Sequence, residues 1–156
     1  MWLQSVSHEI VAVDLSEQML LKAREKIDSE NVQFQQADIN EDWAFATGTF
    51  DLVTFSLVLE HIDDLQVVFA KVAACLSPGG LVYLGELHPF KQYSGTKARF
   101  DTSEGRQIVS CFNHHVSDFI VPAKKHGLSI VDINEYFDGN DQNTIPRILT
   151  IILKKA

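Results

Sequence analysis

The chain has 156 residues, enough for one domain with a sizeable core and too few for two ordinary ones. Hydrophobic residues make up 46% and charged residues 22%, a composition that argues against intrinsic disorder. The net charge is −8, from 13 Lys and Arg against 21 Asp and Glu, and without a basic stripe no nucleic-acid partner is expected.

The first segment, Met1-Trp2-Leu3-Gln4-Ser5-Val6-Ser7-His8-Glu9, has no basic region followed by an apolar run, so it does not read as a secretory signal. No window approaches the ~20 consecutive apolar residues of a membrane-spanning helix. A cytoplasmic protein without a membrane partner is the expectation. Glu9 to Asp14 is a short β-branched run that ends in an acid. Ser16 then reads as an N-cap, opening a helix to about Ser29 with Met19, Leu20, Ala23 and Ile27 at helical spacing. Val32 to Asp38 alternates at period two and again ends in an acid, and Ile39 to Thr49 reads as loop. Phe50 to Ser56 is almost wholly apolar, the pattern of a strand covered on both faces.

Asp63 or Asp64 caps the next helix, in which Leu65, Val68, Phe69, Val72 and Leu76 form one apolar stripe. Cys75 lies within that helical pattern and reads as a buried thiol, and Cys111 stands apart from it. Ser77-Pro78-Gly79-Gly80 stops the helix. Leu81 to Leu87 is a strand that Pro89 closes. Residues 89–115 read as an excursion from the core of a single domain spanning 1–156. Val116 to His126 is a helix containing Pro122, and Gly127 ends it. Ser129 to Phe137 and Arg147 to Leu153 are the last strands, joined by a turn and so expected to pair antiparallel. Strands alternating with helices predict an α/β fold with a Rossmann-like, mostly parallel sheet and a C-terminal antiparallel hairpin.

In such a sheet, ligands sit beyond the carboxyl ends of the strands. Polar residues stand there repeatedly: Asp14, Asp38, Ser56, and Glu86 with His88. One acid can accept both hydroxyls of a ribose, and the next can accept an exocyclic amino group. Each acid alone also suits a turn or cap. Spaced 24 residues apart across one helix, the two aspartates together favour a nucleoside site.

Val-Ala-Val-Asp14-Leu-Ser-Glu-Gln-Met19-Leu, Gln-Ala-Asp38-Ile, Phe-Asp-Leu-Val-Thr-Phe-Ser56-Leu-Val-Leu-Glu60-His61-Ile and Leu-Ser-Pro-Gly-Gly-Leu resemble, in order, the motifs of class I S-adenosylmethionine-dependent methyltransferases of the small-molecule branch. The resemblance runs from about residue 9 to the end, and Ile145-Pro146-Arg147 before the last strand resembles that family's final hairpin. It implies S-adenosylmethionine as cofactor and a small-molecule acceptor. It also implies that Asp14 binds the ribose hydroxyls, that Leu15 and Met19 pack on the adenine, and that Asp38 accepts the adenine amino group beside Ile39. Ser56 and Leu57 would line the methionine end. Met19 also fits the helix's own apolar face, and Glu60-His61 also suits a helix cap.

The chain departs from the family pattern at its start. The family's Gly-x-Gly-x-Gly loop precedes the position of Asp14, yet here the first glycine is Gly48. The chain is therefore expected to begin after the family's first strand and that loop, and catalysis by it to be impaired. The missing strand is the central one. The strands ending in Asp14 and Ser56 are then expected either to pair with each other or to be covered by a second copy in a homodimer, since unpaired buried backbone groups cost on the order of 1–3 kcal/mol each.

The resemblance places an acceptor pocket after Leu87. His88 or one of His114 and His115 is the candidate to take the acceptor's proton, with His88 and His115 as catalytic candidates. His88, Tyr93, Arg99 and His114 are candidate acceptor-binding residues. Structural hydrogen bonds are the competing reading for His88 and His114, and a solvated surface position for Arg99. No Cys or carboxylate stands at ligand spacing beside these histidines, so no metal is expected. Two other functions stand as alternatives: a non-catalytic truncated module that keeps the fold and binds a partner, and, third, a nicotinamide-dependent oxidoreductase, which accounts for Asp14 but not for Asp38 or for Ser56 to Ile62.

Overall fold

A computed structural model describes residues 2–95, 99–102, 105–108, 111–139 and 141–156, with side chains described outside 96–110. Contacts divide the chain into two units, Met1–Thr47 and Gly48–Ala156.

In the first unit, a short helix α1 (Trp2–Val6) precedes β1 (Ile10–Asp14), α2 (Glu17–Lys26) and β2 (Val32–Gln36). Ser16 caps α2, its hydroxyl accepting from Met19 N–H at 3.3 Å. That stabilises a donor which the first turn leaves without an intrahelical partner. The helix ends three residues earlier than its pattern predicts, at Lys26, where Ile27 turns to extended backbone. Only Leu20 of α2 is buried. β1 and β2 run parallel, with Ile10 opposite Val32 and Asp14 opposite Gln36.

The second unit holds β3 (Phe50–Ser56), a single 3-10 turn at Leu59–His61, α3 (Leu65–Cys75), β4 (Leu76–Leu87), α4 (Pro89–Tyr93), β5 (Arg99–Thr102), β6 (Gly105–Ile108), α5 (Val116–Lys125), β7 (Leu128–Tyr136) and β8 (Ile148–Lys155). Its main sheet has the order β3-β4-β8-β7. β3 and β4 are parallel, and β8 is antiparallel to both β4 and β7. The antiparallel hairpin follows the expectation. β5 and β6 pair with each other in the excursion.

Asp64 is the residue that caps α3, accepting from Gln66 N–H at 2.9 Å. Leu65, Val68, Phe69, Val72 and Cys75 are all buried, so the apolar stripe and the buried thiol are found as read. From α5, Phe119 and Ala123 are buried, and Leu149, Ile151 and Leu153 are buried from β8. Burying one such side chain is worth about 1.5–3 kcal/mol. Pro122 lies inside α5, and Gly127 follows that helix at φ 77.

Two expectations need correction. The Pro78-Gly79-Gly80 stop lies inside β4 rather than between helix and strand, because Gly79 at φ 77 lets the chain bulge while Phe50 still pairs with Leu76. β3 is not covered on both faces: Phe55 is its one buried residue and Leu52 is 39% exposed. Among the described residues β1 bonds to β2 in the first unit and β3 to β4 in the second.

Candidate functional site

In the first unit the parallel register brings Asp14 and Asp38 to the carboxyl ends of neighbouring strands. Ala37 N–H donates to the Asp14 carbonyl at 3.2 Å, and the Gln36 side-chain amide donates to the Leu15 carbonyl at 3.0 Å. These bonds tie the two loops together. Asp14 Oδ1 accepts from Ser16 N–H at 2.7 Å, and Asp38 Oδ1 accepts from the Asn40 backbone and side-chain amides at 2.8 and 3.0 Å. The turn role and the ligand role therefore coexist: one oxygen fixes each carboxylate, and Oδ2 of each has no partner among the described residues. Leu15 is 65% and Met19 47% exposed, so Met19 is not spent on the helix's own packing. Ile39 is half-buried, with its carbonyl accepting from the Trp43 indole at 2.9 Å. Two anchored carboxylates beside exposed apolar side chains fit a ribose diol, an exocyclic amine and a purine face.

In the second unit Ser56 ends β3, and Leu57 adopts φ 54, a left-handed conformation uncommon for a residue with a side chain. Its N–H donates to the Gly85 carbonyl at 2.9 Å. Both residues are exposed, as cofactor contacts would be. Val58 N–H donates to the two oxygens of Glu86 at 3.3 and 3.1 Å, and Leu59 N–H donates to Oε2 at 3.2 Å. Glu86 is 2% exposed, and burial pushes its carboxyl up to about 7 against the pull of those amides. Glu60, also buried, is raised by burial too, and its Oε2 has no hydrogen-bond partner. The role of Glu86 escapes sequence reasoning, because nothing local distinguishes it from an exposed acid at a strand end.

Beyond β4 the histidines fall into two kinds. His88 is buried and caps α4: Nδ1 accepts from Phe90 N–H at 3.1 Å, which leaves Nε2 as the donor to Glu135 Oε1 at 2.9 Å. Both ring nitrogens are engaged. His114 is buried, with Nε2 bonded to the Ile62 carbonyl at 2.8 Å and its backbone N–H held by Gln92. His115 is exposed, its Nδ1 hydrogen-bonded to the Tyr93 hydroxyl, and Asp118 accepts its backbone N–H at 2.8 Å. Phe90 stands between His88 and Tyr93, with ring centroids 5.1 and 6.3 Å away. Arg99 opens β5, and its side chain lies outside the described residues.

A cleft of about 560 Å³ lies beside this row, lined by Val116, Ile133, Asn134, Glu135, Phe137 and Gln142 among others. That volume is in the range of small-molecule sites. Val116 adjoins His115, and Glu135 is the residue bonded to His88, so the cleft borders the expected acceptor region. Asp138 follows Phe137 and is hydrogen-bonded to Arg147, which holds its carboxyl below the usual range, and it is 3.6 Å from Lys91. The cleft residues come mainly from the start of α5, from β7 and from the loop after it, which carry no motif, and sequence reasoning missed them.

A family model described as a methyltransferase domain matches residues 1–84. A ubiquinone/menaquinone biosynthesis C-methyltransferase of Desulfotalea psychrophila is 35% identical over 72 residues, which cover 46% of this chain and 29% of that protein. A ubiquinone biosynthesis O-methyltransferase of Xanthomonas oryzae is 29% identical over 123 residues, which cover 74% of this chain and 49% of that protein. The chain thus spans about half or less of these curated relatives. The crystal structure of an S-adenosylmethionine-dependent methyltransferase from Clostridium acetobutylicum superposes with a TM-score of 0.78 at 19% identity, covering 99% of this chain and 78% of that one. Its fold is shared. With the matched model spanning more than half the sequence, the chain belongs to the methyltransferase-domain family, as its ordered motifs imply.

Proposed function

We propose that the chain binds S-adenosylmethionine and supports methyl transfer to a small-molecule acceptor. The observation that carries this reading is the pair of anchored carboxylates, Asp14 and Asp38, each with one oxygen unpartnered among the described residues, beside exposed Leu15 and Met19. Asp14 would hold the ribose hydroxyls, Asp38 the adenine amino group with Ile39 beside it, and Ser56 and Leu57 the methionine end. The bound cofactor supplies an electrophilic methyl group. The protein's own task is then to align the acceptor, exclude water and take a proton where the acceptor must lose one.

His115 is the proton acceptor in this reading, with Tyr93 fixing its ring, because it is exposed whereas both nitrogens of His88 are engaged. The cleft beside Val116 and Glu135 seats the acceptor. The curated relatives act in quinone biosynthesis by name, so small aromatic acceptors of that kind are the first to try. A second copy of the chain, pairing along β3, is the proposed partner, and sedimentation giving a monomer removes that part.

The test mixes the chain with methyl-labelled S-adenosylmethionine and a panel of such acceptors. Label should move to an acceptor, and His115→Ala should slow transfer by about a hundredfold, within the usual range for a general base, while cofactor binding stays unchanged. Saturable cofactor binding without transfer to any acceptor would favour a non-catalytic module. Binding of a nicotinamide dinucleotide in its place would favour an oxidoreductase.

A further inference from the structure

We propose that Glu86 is a positioning residue for the cofactor-facing loop: its buried carboxylate, by accepting the Val58 and Leu59 amides, holds Ser56 and Leu57 in the one backbone shape that presents them. The proposal rests on the reading of Ser56 and Leu57 as cofactor contacts. The loop needs such a hold. A leucine at φ 54 is strained by on the order of 1–3 kcal/mol, and that conformation persists only where its surroundings over-determine it. Three consecutive amides supply the constraint. Leu57 N–H reaches the Gly85 carbonyl, and Val58 and Leu59 N–H reach Glu86, so all three are captured by two adjacent residues at the end of β4. Once ionised, the carboxylate grips these amides more tightly than a neutral side chain does, since its bonds to N–H groups are about twice as strong as neutral ones, even though burial makes the charge costly.

The same arrangement makes the hold depend on pH. The apolar side chains of Leu84, Phe119, Leu149 and Ile151 lie around Glu86, and Glu60 is the titratable neighbour whose charge acts on it. Among the described residues no cation is paired with it. Burial therefore places its ionisation at about 7. Above that, both oxygens accept from the loop. Below it, one oxygen carries a proton, the bonds become neutral, and Leu57 is held less firmly.

The test follows the Val58 and Leu59 amide resonances of the cofactor-free chain from pH 5 to pH 9. Both should titrate together with a midpoint near 7 in the wild type and stay flat in Glu86→Gln. If the variant does not fold, the wild-type titration decides alone. Affinity for S-adenosylhomocysteine, read by calorimetry, should be about three- to tenfold weaker at pH 6 than at pH 8 in the wild type, beyond any ratio seen in Glu86→Gln. Amides that do not titrate, or the same affinity ratio in both proteins, overturn the proposal. A wild type that binds no S-adenosylhomocysteine at either pH sinks the cofactor reading instead, and the amide titration still decides what Glu86 does.

Discussion

Asp14 and Glu86 stand in the same kind of place, an acid at or near the carboxyl end of a parallel strand, yet their surroundings are opposite. Asp14 is half-buried, with one oxygen tied to Ser16 N–H and the other without a partner among the described residues. Glu86 is fully buried, with both oxygens engaged by the Val58 and Leu59 amides. The difference teaches that burial, and not the acid itself, separates a carboxylate that meets a ligand from one that shapes the protein around it. Asp38 belongs with Asp14, for its Oδ1 bonds are local and its other oxygen has no partner among the described residues.

The sharpest way to break this contrast is through pH. The Glu86 carboxyl ionises at about 7 in the folded chain, above its ordinary 4.5. Because the folded pKa is the higher one, the stabilisation is full below about 4.5 and is lost as pH rises through 7. The stability of the wild type against denaturation should therefore fall between those values by on the order of 3 kcal/mol, and Glu86→Gln should lack that slope and be the more stable protein at pH 8. Equal pH slopes in the two proteins would place Glu86 in water, with Asp14.

Asp14→Ala tests the opposite side. Removing a charged acceptor of hydroxyl groups should weaken S-adenosylhomocysteine binding by about ten- to a hundredfold. Melting should fall only by about 1 kcal/mol, the worth of the lost bond from Ser16 N–H. Asp38→Ala should follow with a smaller loss, of about tenfold. A variant that unfolds instead of losing affinity would make these carboxylates structural.

The histidines repeat the contrast at smaller scale. His88→Ala removes the cap of α4 and the bond to Glu135, and thermal melting should show a loss of about 1 kcal/mol. His115→Ala, at an exposed ring, should leave melting unchanged. Equal losses in both would erase the distinction between them.

Much of the fold was legible because its signals are local. Ser16 and Asp64 cap helices through side chains two or three residues from their donors, and the α3 stripe needs only helical periodicity to be seen. The turn between the last strands is likewise enough to make them antiparallel. What failed depends on neighbours far away in sequence. The apolar run Phe50–Ser56 records strand propensity but not what covers the strand, and only Phe55 is buried. Pro78-Gly79-Gly80 reads as a break, yet a glycine at φ 77 also permits a bulge within a strand.

The site divides in the same way. Asp14 and Asp38 could be read because a strand end is a local feature. His88 is joined to Glu135 across 47 positions, and Glu86 to Val58 across 28, and no motif announces either pair. The cleft was invisible for the same reason, being assembled from the start of α5, from β7 and from the loop after it.

The central claim is that this chain binds a nucleoside cofactor through the ends of β1 and β2. The most direct measurement is an amide spectrum of the chain recorded while S-adenosylhomocysteine is added. Saturable shifts at Asp14 to Met19 and at Asp38 to Asn40, accompanied by Ser56 to Leu59 and absent in the Asp14→Ala, Asp38→Ala double variant, are the predicted result. Saturable shifts that spare those residues, or none up to millimolar ligand, would contradict it.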